Sequence, residues 1–166
     1  MTKPKTRRPR PRLTHLDDAG RVRMVDVSQK ADTERVAVAR ALLRCTASTR
    51  DAIASGSIAK GEALAAARIA GVLAAKKTGE LIPLCHPIAL TDVAVDLRAV
   101  DDGIAIEATA KTVGKTGVEM EAMVAASVAG LTLYDMAKSI ERGMVLDAVR
   151  LVEKRGGKSG TWRRNE

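Results

Sequence analysis

Two apolar spacings alternate along the chain after a start that has neither. Residues 3–12 (KPKTRRPRPR) contain only Lys, Pro, Thr and Arg. Such a stretch has nothing to bury and is expected to be disordered. Residues 21–29 (RVRMVDVSQ) put Val22, Met24 and Asp26 on one side of an extended segment, which predicts a strand. In 34–43 (ERVAVARALL), Val36, Val38, Arg40 and Leu42 recur at every second position, again favouring a strand. Residues 47–55 read as a short helix stopped at Gly56. Residues 57–79 (SIAKGEALAAARIAGVLAAKKTG) carry helical spacing. Ser57 can cap that helix, Lys76 and Lys77 suit its negative end, and Gly79 can stop it.

Further on, LTDVAVDLRAV (90–100) and IAIEATAK (104–111) flank Asp101-Asp102-Gly103. That is hairpin chemistry. Val93, Val95 and Leu97 line one face of its first strand; Ile104, Ile106 and Ala108 line one face of its second. The longest helix is predicted over 116–143, opened by a Thr116-x-x-Glu119 capping box. It carries no charge between Ala122 and Tyr134. A helix apolar all round is buried all round, which in a chain of 166 residues implies a subunit interface. Residues 144–154 predict a last strand. The expected organisation is a disordered basic tail (1–12), one α+β domain (13–155) and a flexible Gly/Lys-rich tail (156–166), with strands and helices in separate layers.

Composition changes this picture in two ways. With no Phe, one Tyr and one Trp, the core must be built from Ala, Val, Leu, Ile and Met, and is stabilised by close approach of its elements. The net charge of +8 belongs to the ends: 1–12 carry six basic residues and no acid, 154–166 five basic residues and Glu166, leaving 17 basic and 19 acidic residues between. A nucleotide- or nucleic-acid-binding protein without catalysis is the competing reading. The mildly acidic middle and the scarcity of stacking aromatics weigh against it. Two distant cysteines make no disulfide framework, no apolar run reaches the ~20 residues of a membrane span, and the N-terminus lacks an export signal. A cytoplasmic protein is expected.

Candidate chemistry centres on LIPLCHP (81–87). Cys85 and His86 are neighbours, and only His15 and Cys45 add further thiol or imidazole groups. Zinc-ligand spacing is absent, so no metal is expected. Adjacent side chains of an extended segment point to opposite faces, which disfavours a nucleophilic Cys–His pair. Pro87 holds His86 away from helical backbone. A rigid ligand-holding histidine beside a packed thiol is the preferred reading. Gly114-Lys115-Thr116-Gly117 and Gly157-Lys158-Ser159-Gly160 lack the first glycine of a phosphate-binding loop, since positions 109 and 152 are Thr and Val. They still offer lysine and glycine backbone for an anion, with Lys154 beside the second. Asp135 and Lys138 share a helix face, and the apolar run before Asp135 raises the prospect of a burial-shifted base. Glu121 lies ~21 Å from Asp135 along a helix at 1.5 Å per residue, so one pocket on one chain does not hold both. Lys60, read as lying in a helix's first turn, is mildly misplaced at the positive end.

Together, LTHLDDAGRVRMVDVSQK (13–30), the long segment from Lys60 to Leu97, GKTGVEMEAM, LTLYDMAK and EKRGGKSG resemble the molybdenum-cofactor biosynthesis protein C family, the cyclic pyranopterin monophosphate synthases. The likeness spans about 150 residues in the family's order; Arg155 and residues 1–12 depart from the pattern. The resemblance implies a ferredoxin-like antiparallel sheet with long helices packed on it. It also implies a homohexamer, a trimer of dimers, with active sites at subunit interfaces. It implies conversion of 3′,8-cyclo-7,8-dihydroguanosine triphosphate to cyclic pyranopterin monophosphate and pyrophosphate. Asp135, Lys138 and Lys60 would be catalytic; Leu84, Cys85, His86, Met120, Glu121 and Lys154 would bind substrate. No resident cofactor is implied, although Mg²⁺ can accompany a triphosphate, and neither membrane nor specific nucleic acid is an expected partner.

Overall fold

A computed structural model describes residues 19–165; the basic stretch 1–12 and His15 lie outside them. Five strands form one antiparallel sheet: β1 (Thr33–Arg44), β2 (Asp92–Val100), β3 (Gly103–Gly114), β4 (Val145–Arg155) and β5 (Trp162–Arg163). Their order is β2-β3-β1-β4-β5. The helices are α1 (Ala47–Ala54), α2 (Ala63–Lys76), the single turn α3 (Thr78–Leu81) and α4 (Glu119–Ala137). β1 runs antiparallel between β3 and β4. Each crossover, β1 to β2 through α1–α3 and β3 to β4 through α4, therefore straddles a strand, which is the ferredoxin-like arrangement. Among the described residues no helix is long and apolar enough to cross a membrane.

Period two explains the sheet. Ala37, Ala39, Ala41 and Leu43 of β1, and Ile104, Ile106, Ala108 and Ala110 of β3, are buried. They join Val95 of β2 in the same core, against which Val93 and Leu97 pack. Alanine dominates where α4 meets this layer, through Ala122, Ala125, Ala126 and Ala129. Two glycines allow the approach: a methyl on Gly71 would stand 3.0 Å from the Ala125 carbonyl oxygen, and one on Gly130 2.4 Å from a Leu146 methyl. The hairpin and β1 form where the alternation places them.

Three expectations are corrected. Residues 21–29 make no strand beyond an isolated bridge at Val22; Val25 and Val27 are the half-buried positions, while Val22, Met24 and Asp26 face out. The inward parity is that of Val25 and Val27, which face the loop at Leu84, Cys85 and His86. The helix predicted from Ser57 starts at Ala63, since Ile58 is buried and Gly61 takes a left-handed turn at φ 96. Lys60 is thus in a turn and not at a helix's positive end. The 116–143 helix is shorter, Glu119–Ala137, and Val118 replaces Thr116 at its cap with no side-chain bond, so the capping box does not form. Within one chain α4 is not enclosed on every side, in keeping with the expectation that part of it is covered by another copy: Leu131 is 56% exposed, as are Ile69 (62%) and Leu73 (52%) on α2.

Candidate functional site

Five of the expected substrate-binding residues meet in one cleft of about 360 Å³. Leu84, Cys85 and His86 come from the loop after α3, and Met120 and Glu121 from the first turn of α4. The loop is held by the sheet: the buried Thr112 hydroxyl of β3 donates to the Ala89 carbonyl at 2.7 Å. A tight turn closes it, with the Cys85 amide donating to the Ile82 carbonyl at 3.0 Å. Gly79 of α3 lets the loop close in, since a methyl there would sit 3.2 Å from Pro87 Cα.

Sequence reasoning missed the rest of the cleft. Val25, Val27 and Lys30 close one side, and Thr116 and Glu119 another. Glu119 is not engaged in a capping box; its carboxylate folds back over Gly117, where a methyl would lie 1.9 Å from an oxygen. The apolar alternation of Val25 and Val27 was the available signal.

Glu121 is 3% exposed, not the solvated charge that its place near a helix start suggests. Burial pushes its carboxyl above the ordinary glutamate range, and the like charge of Glu119 adds to the shift. Burial also raises the Cys85 thiol, with the Glu121 charge second. A thiol held protonated is a packing group and not a nucleophile. His86 donates from Nε2 to the Val25 carbonyl at 2.8 Å.

The second cluster lies at the other end of α4. Lys138 Nζ pairs with Asp135 Oδ1 at 2.7 Å. Lys60 Nζ pairs with Asp135 Oδ2 at 3.0 Å and also donates to the Asp135 carbonyl at 2.8 Å. Each carboxylate oxygen thus holds one ammonium. The turn carrying Lys60 is pinned by Ile58 inside the core and by the Gly61 amide donating to the Ile58 carbonyl. Asp135 is exposed, and the expected upward shift by burial is reversed. Hydrogen bonds from Lys138 and then Lys60 hold its carboxyl down at about 2. Lys138 is raised in turn by its bond to Asp135.

Lys154 stands in a third place. It faces Trp162 across β4 and β5, and its ammonium hydrogen-bonds the Ser159 hydroxyl. It neither lines the cleft nor pairs with Asp135. A further concavity of about 750 Å³ lies on the open face of the sheet among Arg40, Arg44, Asp96, Glu107 and Arg150. It contains none of these site residues, and its charges pair across strands, as Arg40 does with Glu107 at 2.6 Å. Among the described residues no cluster of three or more His, Cys, Asp or Glu side chains is placed to hold a metal ion.

Fold and clusters define a class: a small ferredoxin-like α+β domain with a lysine–aspartate ion-pair cluster at one end of a helix and a histidine–glutamate cleft at the other. The MoaC family model matches residues 24–157, and the chain belongs to the MoaC family. It is 62% identical over 154 residues to the cyclic pyranopterin monophosphate synthase of Novosphingobium aromaticivorans, covering 93% of this chain and 98% of that protein. The likeness to the synthase of Thermomicrobium roseum is 54% over 156 residues, 93% of this chain and 94% of that one. To that of Roseiflexus sp. it is 58% over 150 residues, 89% and 95%.

Proposed function

We propose that this chain is a lyase of molybdenum cofactor biosynthesis that makes cyclic pyranopterin monophosphate and pyrophosphate from 3′,8-cyclo-7,8-dihydroguanosine triphosphate. The observation that carries this reading is the Lys60–Asp135–Lys138 cluster, in a chain whose relatives bear that activity in their names. Opening a purine-derived ring and rebuilding it as a pterin requires protons to be delivered and removed at fixed places. Asp135 stays anionic at neutral pH and keeps two ammonium groups charged and aimed. They serve as proton donors, and as the cations that stabilise departing pyrophosphate. In the phosphoryl step a sugar-derived hydroxyl gives up its proton to the site or to water as its oxygen bonds the α-phosphorus. The bridging α–β oxygen bond breaks, and pyrophosphate leaves with the electron pair.

Glu121, buried and prone to protonation, and His86 orient the heterocycle in the cleft with Leu84, Cys85 and Met120; Lys154 contacts phosphate. No resident cofactor is needed, and Mg²⁺ enters as a companion of the triphosphate. Because the two clusters lie at opposite ends of a 19-residue helix, the complete site forms between copies of the chain in a homohexamer, a trimer of dimers. The exposed Ile69, Leu73 and Leu131 suit burial against those copies. The enzyme works in the cytoplasm on a small-molecule substrate.

The test is direct. Purified protein incubated with the cyclised triphosphate is expected to release pyrophosphate and a pterin that becomes fluorescent on oxidation. Asp135→Ala and Lys138→Ala are each expected to lower kcat by about 10²-fold or more. Full turnover in both variants would refute the assignment of the cluster, and no turnover by the unaltered protein would refute the reaction.

A further inference from the structure

Residues 25–28 and Lys115 have no part in the chemistry above, yet the Val25 carbonyl meets its histidine. We propose that this segment is a strap that sets the tautomer of His86, and that Lys115 is the positioning residue that anchors it. A backbone carbonyl can only accept. With His86 Nε2 2.8 Å from the Val25 carbonyl oxygen, Nε2 carries the proton, and in the neutral ring Nδ1 is left as the acceptor. The strap has little hold of its own: Asp26 and Ser28 are exposed, Val25 and Val27 only half-buried, and among the described residues no ladder ties 25–28 to the sheet. Its shape comes from the Ser28 amide donating to Asp26 Oδ1 at 2.8 Å and the Lys30 amide donating to the Val27 carbonyl at 3.0 Å. Its tether is the Lys115 ammonium, which donates to the Ser28 carbonyl at 2.8 Å.

Lys115 is itself firmly based. Arg35 donates from Nε to the Gly114 carbonyl at 2.9 Å and from Nη2 to the Lys115 carbonyl at 3.2 Å. The Gly114-Lys115-Thr116-Gly117 motif, which reads as an anion cradle, thus has its ammonium committed to protein backbone. Lys30, Glu119 and Glu121 are the charged groups sharing the cleft with the ring; none of them supplies the bond at Nε2. On the function proposed above, on which this consequence rests, Nδ1 accepts a hydrogen bond or proton from the substrate instead of donating one.

Protein labelled with ¹⁵N-histidine separates the outcomes, because the chain has only two histidines and His15→Gln assigns the other. Long-range ¹H–¹⁵N spectra of the neutral ring are expected to show His86 protonated at Nε2. Lys115→Ala is expected to mix the tautomers, speed hydrogen exchange over residues 25–30, and lower kcat about tenfold or more with a smaller change in KM. Lys115→Arg is expected to restore all three. A ring protonated at Nδ1 in the unaltered protein overturns the proposal, as does a Lys115→Ala protein that loses turnover with its tautomer unchanged. If the tautomer mixes as expected but the unaltered protein leaves the cyclised triphosphate intact, the strap stands and the proposed reaction falls.

Discussion

Glu121 and Asp135 sit on one helix, and their surroundings drive them in opposite directions. Asp135 meets two ammonium groups in the open and is held down at about 2. A depressed carboxylate contributes stability above the ordinary aspartate value of 3.8, and loses it as pH falls through about 2; with so exposed a pair the contribution is small. Glu121 is buried and raised, so the sign reverses. The folded chain holds that proton more tightly than the unfolded one. The resulting stability is complete below the ordinary value of 4.5 and is lost as pH rises through the raised value, above which a buried anion is a cost. Glu121→Gln keeps the shape and removes the titration. It is expected to melt at about the same temperature as the unaltered protein near pH 4, and higher at pH 8, when thermal unfolding is followed by circular dichroism. Parallel melting temperatures at every pH would show that Glu121 does not titrate in this way.

At the scale of elements, α2 and α4 approach each other and the sheet over glycine and alanine, and the two key glycines differ in what surrounds them. A methyl at Gly71 meets the Ala125 carbonyl and a Val95 methyl, both at 3.0 Å, whereas one at Gly130 meets the tip of Leu146. Backbone cannot rotate aside and a leucine tip can. Gly71→Ala is therefore expected to cost about 1–3 kcal/mol and Gly130→Ala less, as read from urea unfolding midpoints; equal losses would place the tight contact elsewhere. This close packing also bears on what the sequence could reveal. Strand β1 was legible because Val36, Val38, Arg40 and Leu42 keep period two, although the face buried in the core is the other one, Ala37, Ala39, Ala41 and Leu43. The hairpin was legible because Asp101-Asp102-Gly103 allows little else. The starts of α2 and α4 were not: Ser57 and Thr116 have capping chemistry, but burial of Ile58 and Val118 moved each start inward. The strap escaped for a related reason, since alternation predicts an extended segment without saying whether it joins a sheet. Residues adjacent in sequence, Leu84 to His86 and Met120 to Glu121, could be grouped by reading. The company of Lys60 with Asp135, 75 positions apart, was implied only by family resemblance, because it depends on how a turn docks against the end of α4.

The whole molecule poses a question that neither scale answers alone, because the folded chain keeps its two clusters apart. Glu121 and the cleft open at the start of α4, while Asp135 and its lysines lie almost at its end. Both must reach one substrate in the proposed reaction, and a rigid helix between them cannot shorten. Neighbouring copies that bring the start of one α4 toward the end of another resolve this, and the arrangement has a quantitative consequence. Glu121→Ala and Asp135→Ala proteins are each expected to be nearly inactive alone. When they are unfolded together in equal amounts and refolded, a site drawing Glu121 from one copy and Asp135 from the next has both acids intact in about one case in four by random assortment in a symmetric oligomer. Pyrophosphate release is then expected to return to about a quarter of the unaltered rate. If the mixture shows only the average of its inactive parents while refolding to the same particle size, each chain carries its own complete site, and the separation along α4 must be bridged by the substrate or by a movement within the chain.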